Sequence, residues 1–195
     1  MRKVDLLVVI SGVALAAAWW NLQPSKSRPD PPVRPVSSAT PATAGLTTRS
    51  GRWTVLPNLY QMAGLSIGMS EAEIVAKMGE PGQKDPQNGE SSMWTYTSDG
   101  AELHLALLED RLIMIGGSGR WALTHGDKSL PGFQSSPEQL LAVLGPPDRK
   151  ESADTTWIYA HRPGELSYRL DQNRVGQVTV TGEVAPQKLP AVPSK

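Results

Sequence analysis

Cysteine is absent from the 195 residues. That excludes disulfides, thiolate metal sites, a cysteine nucleophile and a lipid-acceptor thiol together. Other chemistry is missing as well. The three histidines, His104, His125 and His161, are widely spaced, and none falls in a Gly-x-Ser-x-Gly or His-Glu-x-x-His setting. His104 alternates with Leu103 and Leu105 and so points off the core face, while His125 and His161 fall in turns. All three read as solvated surface residues. No acidic cluster has calcium-loop spacing. Gly117-Ser118-Gly119-Arg120-Trp121-Ala122 fits a loose dinucleotide-binding pattern, but Leu123-Thr124-His125-Gly126-Asp127 has no helical period with which to receive a pyrophosphate. Nothing here calls for a metal or a cofactor, and the chain reads as noncatalytic.

A basic surface is lacking too. Residues 1–48 carry five Lys/Arg against two Asp/Glu, whereas 49–183 hold 12 basic and 17 acidic residues, a net of −5. Nucleic acid needs concentrated positive charge. The partners left are proteins, peptides or glycans.

What is present begins with an apolar run from Leu6 to Trp20 behind Arg2 and Lys3. Two readings stand. One is a secretory signal cleaved after Ala14-Leu15-Ala16 or Ala16-Ala17-Ala18, giving a secreted or periplasmic protein. The other is a retained transmembrane anchor: Leu6 to Leu22 is 17 residues, about 25 Å of helix against a hydrocarbon core of ~30 Å. Asp5 suits the anchor better than a signal, and Trp19 and Trp20 would then lie at the outer interface. Either way the remainder is expected outside the cytoplasm. Residues 23–49, with Pro24, Pro29, Pro31, Pro32, Pro35 and Pro41, read as an extended spacer reaching at most about 80 Å. The stretch 183–195 reads as a disordered tail.

Between them, a shift of 66 positions lays Ser70-Glu71-Ala72-Glu73-Ile74-Val75-Ala76-Lys77-Met78-Gly79-Glu80-Pro81 over Ser136-Pro137-Glu138-Gln139-Leu140-Leu141-Ala142-Val143-Leu144-Gly145-Pro146-Pro147. Each is a capped helix: Ser at the N-cap, Glu73 or Gln139 closing a capping box, Pro137 at the first helical position, and Gly then Pro at the end. Ile74, Val75 and Met78, like Leu140, Leu141 and Leu144, predict one apolar stripe. After a loop three residues shorter in the second copy, Trp94, Tyr96, Glu102, Leu103, Leu107, Arg111 and Gly119 match Trp157, Tyr159, Glu165, Leu166, Leu170, Arg174 and Gly182. Their alternation predicts three half-buried antiparallel strands. Ser50-Gly51-Arg52-Trp53 recurs as Ser118-Gly119-Arg120-Trp121 and marks the start of each unit. The expected fold is therefore α+β: two tandem repeats, 50–117 and 118–182, each a short helix plus a three-stranded antiparallel meander, sharing one pseudo-symmetric sheet packed by helices.

Ile67-Gly68-Met69-Ser70-x-x-Glu73-Ile74 followed by Met78-Gly79-x-Pro81 resembles the signature of the SmpA/OmlA (BamE) envelope proteins, which the β-lactamase inhibitory protein shares. The resemblance covers roughly 60–119 and, more loosely, 130–182, where Gln134-Ser135 replaces Gly68-Met69. It implies either a paired-unit inhibitor whose concave sheet binds an enzyme, or a lipoprotein that supports outer-membrane assembly. This chain has neither the disulfides of the inhibitor nor the lipidated cysteine of the lipoprotein.

The expected function is a noncatalytic extracytoplasmic protein- or glycan-binding module tethered to the membrane. The alternative is a structural subunit of a bacterial envelope machine, with Gly12-x-x-x-Ala16 supporting helix packing. Strand alternation puts Thr95, His104, Ile158, Ser167 and Arg169 on the sheet face away from the helices, as candidate partner-binding residues. Ile158 stands out there, an apolar side chain with no packing reason. Trp94 and Trp157 are expected under the helices. Trp53 and Trp121 are expected to cover the end of the core or to make contacts.

Overall fold

A computed structural model describes residues 46–187 except 88, 154, 161 and 162. The candidate membrane segment, most of the spacer, the end of the tail and His161 lie outside these residues. No helix among the described residues is long and apolar enough to cross a membrane.

The helices form where the caps predict them. Helix α1 is Glu71–Met78 and α2 is Pro137–Leu144. Ser70 Oγ accepts the Glu73 N–H and the Glu73 carboxylate accepts the Ser70 N–H; Ser136 and Gln139 repeat the exchange. The helices end at Gly79 (φ 79, ψ −170) and Gly145 (φ 77, ψ −165). That is not the left-handed helical cap expected, but an extended region with positive φ that is open to glycine almost alone. The apolar stripe is narrower than read. Ile74 and Leu140 are fully buried, each contributing about 2–3 kcal/mol, while Leu141 is 43% exposed.

Strands dominate, and this overturns the expected α+β fold of two helix-plus-three-strand repeats. Strands take 51% of the described residues and helices 12%. The fold is mainly β, with three antiparallel sheets. The largest has eight strands: β5 (Gln83–Pro86), β6 (Ser91–Ser98), β7 (Ala101–Leu108), β8 (Arg111–Ser118), β11 (Arg149–Glu151), β12 (Thr156–Tyr159), β13 (Glu165–Asp171) and β14 (Arg174–Thr181), in the order β11-β12-β13-β14-β8-β7-β6-β5. Each helix is thus followed by four strands, not three. The additional strands, β5 and β11, are the sheet edges. Their lysines cap the core from its ends: Lys84 lies 4.3 Å from the ring centre of Trp94 and Lys150 4.8 Å from that of Trp157.

Two small sheets were not foreseen. One joins β10 (Lys128–Ser129), β9 (Leu123–His125), β3 (Tyr60–Met62) and β4 (Leu65–Ser66) in that order. In the other, β1 (Leu46–Thr47) and β15 (Glu183–Pro186) flank β2 (Trp53–Leu56). The residues expected to end the spacer and begin a disordered tail are therefore paired strands. Both small sheets and both helices share one core with alternate residues of the large sheet. Val55, Tyr60, Met62, Leu65, Ile67, Ile74, Leu123 and Leu140 meet the rows Trp94–Leu105–Ile115–Val180–Leu166–Tyr159 and Tyr96–Leu103–Val178–Tyr168–Trp157. Tyr96 and Tyr159 donate to the carbonyls of Gly79 and Gly145 at 3.0 and 3.3 Å, tying each helix end to the sheet.

Candidate functional site

With the helices and small sheets on one face, residues of opposite parity form the other. Register runs one row across all eight strands: Gln83, Thr95, His104, Gly116, Thr179, Ser167, Ile158 and Arg149. Four of the five residues singled out from the sequence fall on this row. Arg169, two residues from Ser167, stands beside it, exposed and 3.7 Å from Asp171.

Ile158 is not the exposed apolar residue expected. It is 1% exposed. Arg149, its register partner on β11, hydrogen-bonds Glu151 at 2.9 Å and reaches over β12 to Glu165 on β13, also at 2.9 Å. The outward residue of β12 thus lies beneath an ion-paired side chain, and that is its packing reason.

His104 is no solvated surface histidine either; its side chain is 19% exposed. Nδ1 lies 3.2 Å from Thr95 Oγ1 across the β6–β7 pair, and Nε2 faces Glu102 Oε2 at 3.5 Å. Burial pushes the imidazole below its ordinary pKa, against the opposing pull of Glu102, so the ring is neutral at pH 7. Hydroxyl, imidazole and carboxylate in line have the composition of a nucleophile relay. However, β6, β7 and β8 are interior strands whose N–H groups are spent in the ladders. Thr95 and Glu102 hold the ring from its two nitrogens.

The residue that sequence reasoning missed is Gly116. It sits on β8, beside the middle of the sheet, with unstrained backbone. A Cβ there would stand 3.7 Å from Thr179 Oγ1, 3.8 Å from Gln177 Nε2 and 3.9 Å from the His104 carbonyl, all ordinary contacts. Its neighbour Gly117 faces the core and differs: a Cβ would meet Met62 Sδ at 2.8 Å and Trp121 Cδ1 at 3.0 Å. Packing requires Gly117. It does not require Gly116. Inside a strand such a glycine weakens the sheet. Gly116 is itself buried, with the Gln177 amide beside it. Thr95, Thr179 and Ser167 put hydroxyls on its row, the register row Met93–Ala106–Met114 lies on one side, and Glu102, Gln177 and Arg169 lie on the other. Only a distinction between the two glycines could have found it, and sequence alone treats them alike.

Elsewhere, a depression of about 350 Å³ is lined by Trp121, Leu123, Leu130 and Phe133. The Trp121 indole donates to the Glu102 and Ser118 carbonyls, each at 3.0 Å, so its ring is fixed as cover for the core end. His125 pairs with Tyr60, their ring centres 4.7 Å apart. Among the described residues no group of three or more His, Asp or Glu is placed to hold a metal ion.

No family model and no curated protein sequence matches the chain. Among solved structures it is similar to a cysteine-rich secretory protein of Staphylococcus aureus, at 12% identity and TM-score 0.48, over 63% of this chain and 47% of that one. It is also similar to the DUF4309 family protein YjgB of Bacillus subtilis, at 16% identity and TM-score 0.42, over 58% and 78%. A β-lactamase inhibitor-like protein of Streptococcus mutans gives 14% identity and TM-score 0.28, over 63% and 85%. The chain thus spans about half the length of the first of these. No family model supports the SmpA/OmlA signature.

Proposed function

We propose that this chain is a noncatalytic module that holds a protein or a cell-envelope glycan against the outward face of its eight-stranded sheet, outside the cytoplasmic membrane and tethered by its N-terminal segment. The observation that carries the reading is Gly116, a glycine that neither packing nor backbone conformation requires, in a row with the Thr95, Thr179 and Ser167 hydroxyls. The half-buried Met93 and Met114 beside it add adaptable apolar contact of the kind binding surfaces use. The Gly-Met-Ser turn and Gly-x-Pro helix end make the SmpA/OmlA and β-lactamase inhibitory proteins the nearest analogy for such a face, and that analogy stays a resemblance.

The test places a photo-crosslinking residue at Ser167, on the Gly116 row, and in a second chain at Val143, which is 56% exposed on α2. Both full-length chains are irradiated in native membranes, and the unsubstituted chain and its Gly116→Val variant are sedimented with purified envelope glycan. Adducts formed from Ser167 and not from Val143, or glycan retention by the unsubstituted chain, that vanish in Gly116→Val support the reading. Equal capture from both positions, or capture indifferent to Gly116→Val, would sink it.

A further inference from the structure

The turn between β7 and β8 carries side chains that its shape does not require. Leu108-Glu109-Asp110-Arg111 and Asp171-Gln172-Asn173-Arg174 both reverse the chain between long strands, with Glu109 at φ 55 and Gln172 and Asn173 at φ 51 and 59. Amides suffice for the second turn, which is exposed throughout. Positive φ is unfavourable for any residue with a Cβ, Gln172 included, so the two carboxylates of the first turn have a reason outside the turn itself.

That reason is the segment entering the fold. Asp110 Oδ1 accepts the Arg49 N–H at 2.8 Å. The Glu109 carboxylate accepts the Ser50 N–H at 2.6 Å and also the Ser50 hydroxyl. Arg52 closes on Glu90 at 2.6 Å and on Glu109 at 3.7 Å. Arg111 Nε donates to the Thr47 carbonyl at 3.3 Å, and Arg49 lies 4.0 Å from Glu71. Behind these, Leu46 fills the space above Gly68, where a Cβ would meet its Cδ1 at 2.6 Å. Against this, β1 is two residues long, and Arg49, Arg52, Glu71 and Glu90 all reach solvent, although the Glu109 side chain is only 10% exposed. Exposed ion pairs are weak one by one and sensitive to salt. Such a segment opens well before the core does.

We propose that residues 46–52 form a releasable strap, clasped by Glu90, Glu109 and Asp110, whose opening lengthens the tether of the domain. β2 keeps β15 when β1 leaves, so the sheet survives the opening. Seven freed residues add at most about 23–25 Å of reach. The groups around the clasp are Arg49 and Arg52 on the strap, Arg111 on β8, Glu90 in the β5–β6 loop and Glu71 on α1. The Ser50 hydroxyl, then its N–H, hold the Glu109 carboxyl below its ordinary pKa of 4.5. With a depressed folded value, the contribution of Glu109 to the clasp is fully present above pH 4.5 and is lost as pH falls through that folded value.

The experiment is amide hydrogen exchange on the full chain in nanodiscs, read at Arg49 and Ser50 against Leu105 and Ile115 in the core and corrected for intrinsic rates. At pH 7, Glu109→Gln/Asp110→Asn should speed exchange at Arg49 and Ser50 at least tenfold and leave the core amides unchanged. Acidification of the wild type should do the same. Since the chain has no native thiol, labels at engineered cysteines at Ser38 and Ser129 should report a longer mean separation in the double variant. If that variant fails to fold, Ser50→Ala, which removes the hydroxyl donor and keeps both carboxylates and the amide read at position 50, takes its place. Unchanged exchange at Arg49 and Ser50, exchange that rises only together with the core, or an unchanged label separation overturns the proposal.

Discussion

Replacing Gly116 with alanine separates a glycine kept for the fold from one kept for contact. The new methyl would make ordinary contacts at 3.7–3.9 Å with three atoms, so no strain opposes it. Alanine also has less backbone freedom to lose on folding, worth about 0.5–1 kcal/mol. Gly116→Ala should therefore raise stability by about 0.5–1 kcal/mol and the melting temperature by about 2–4 °C for a domain of this size. Gly117→Ala is the control. Its methyl would press on Met62 and on Trp121, whose ring is held by two hydrogen bonds, and overpacking of that kind costs about 1–3 kcal/mol. Urea and thermal unfolding of both variants read the sign directly, and crosslinking from Ser167 reads the contact. A stabilised Gly116→Ala that crosslinks less is the expected pair of results. A Gly116→Ala as destabilised as Gly117→Ala would refute the reasoning, because the glycine would then be a packing requirement like its neighbour.

Other outcomes follow from the same geometry. Ile158→Ala should cost about 2–3 kcal/mol in urea unfolding, since a buried isoleucine is truncated; a surface residue would change stability by less than about 0.5 kcal/mol. Glu73 is held below its ordinary pKa first by the Ser70 N–H and then by the Ser70 hydroxyl. Its share of stability is present above pH 4.5 and lost as pH falls through the folded value, so Glu73→Gln should remove that acid dependence and change stability at pH 7 by only a few tenths of a kcal/mol. All four tyrosines are pushed up, chiefly by burial, Tyr60 and Tyr96 to about 12. Phenolate absorbance should therefore stay low near pH 10 in the folded chain and appear on unfolding, with stability falling as pH rises beyond 10. Tyr168→Phe should cost about 1–2 kcal/mol, because the Pro131 carbonyl loses its 2.9 Å donor.

Local signals were legible where the chemistry is local. Ser70, Glu73, Ser136 and Gln139 announce their helices because a capping box is written in four consecutive residues. Trp94, Tyr96, Leu103 and Leu105 announce their strands by alternation, and the parity that assigned Thr95, His104 and Ser167 to the outer face holds. The edges were not legible: Gln83–Pro86 and Arg149–Glu151 are short, charged and without alternation, because no core face demands it. The small sheets pair residues far apart, Tyr60 with His125 and Leu56 with Glu183, and no spacing rule connects such partners. Ile158 misled for a related reason. Its cover comes from Arg149, a side chain on an edge strand that had not been foreseen. Gly116 was invisible because its meaning lies in what a missing methyl would not touch.

The position of β2 between β1 and β15 has a consequence for how the chain acquires its fold. β2 lies near the start of the described chain, and one of its two partners is the last of the described strands to be made, with Leu56 opposite Glu183. Closing so long a loop is a late event, because the entropy of bringing distant segments together must be met before their contacts stabilise anything. Until residue 186 is available, β2 has one free edge, and an open strand edge invites pairing with other chains. A nascent chain emerging in sequence order therefore holds an unsatisfied ladder until β15 arrives. Truncation after Gly182 would make that interval permanent.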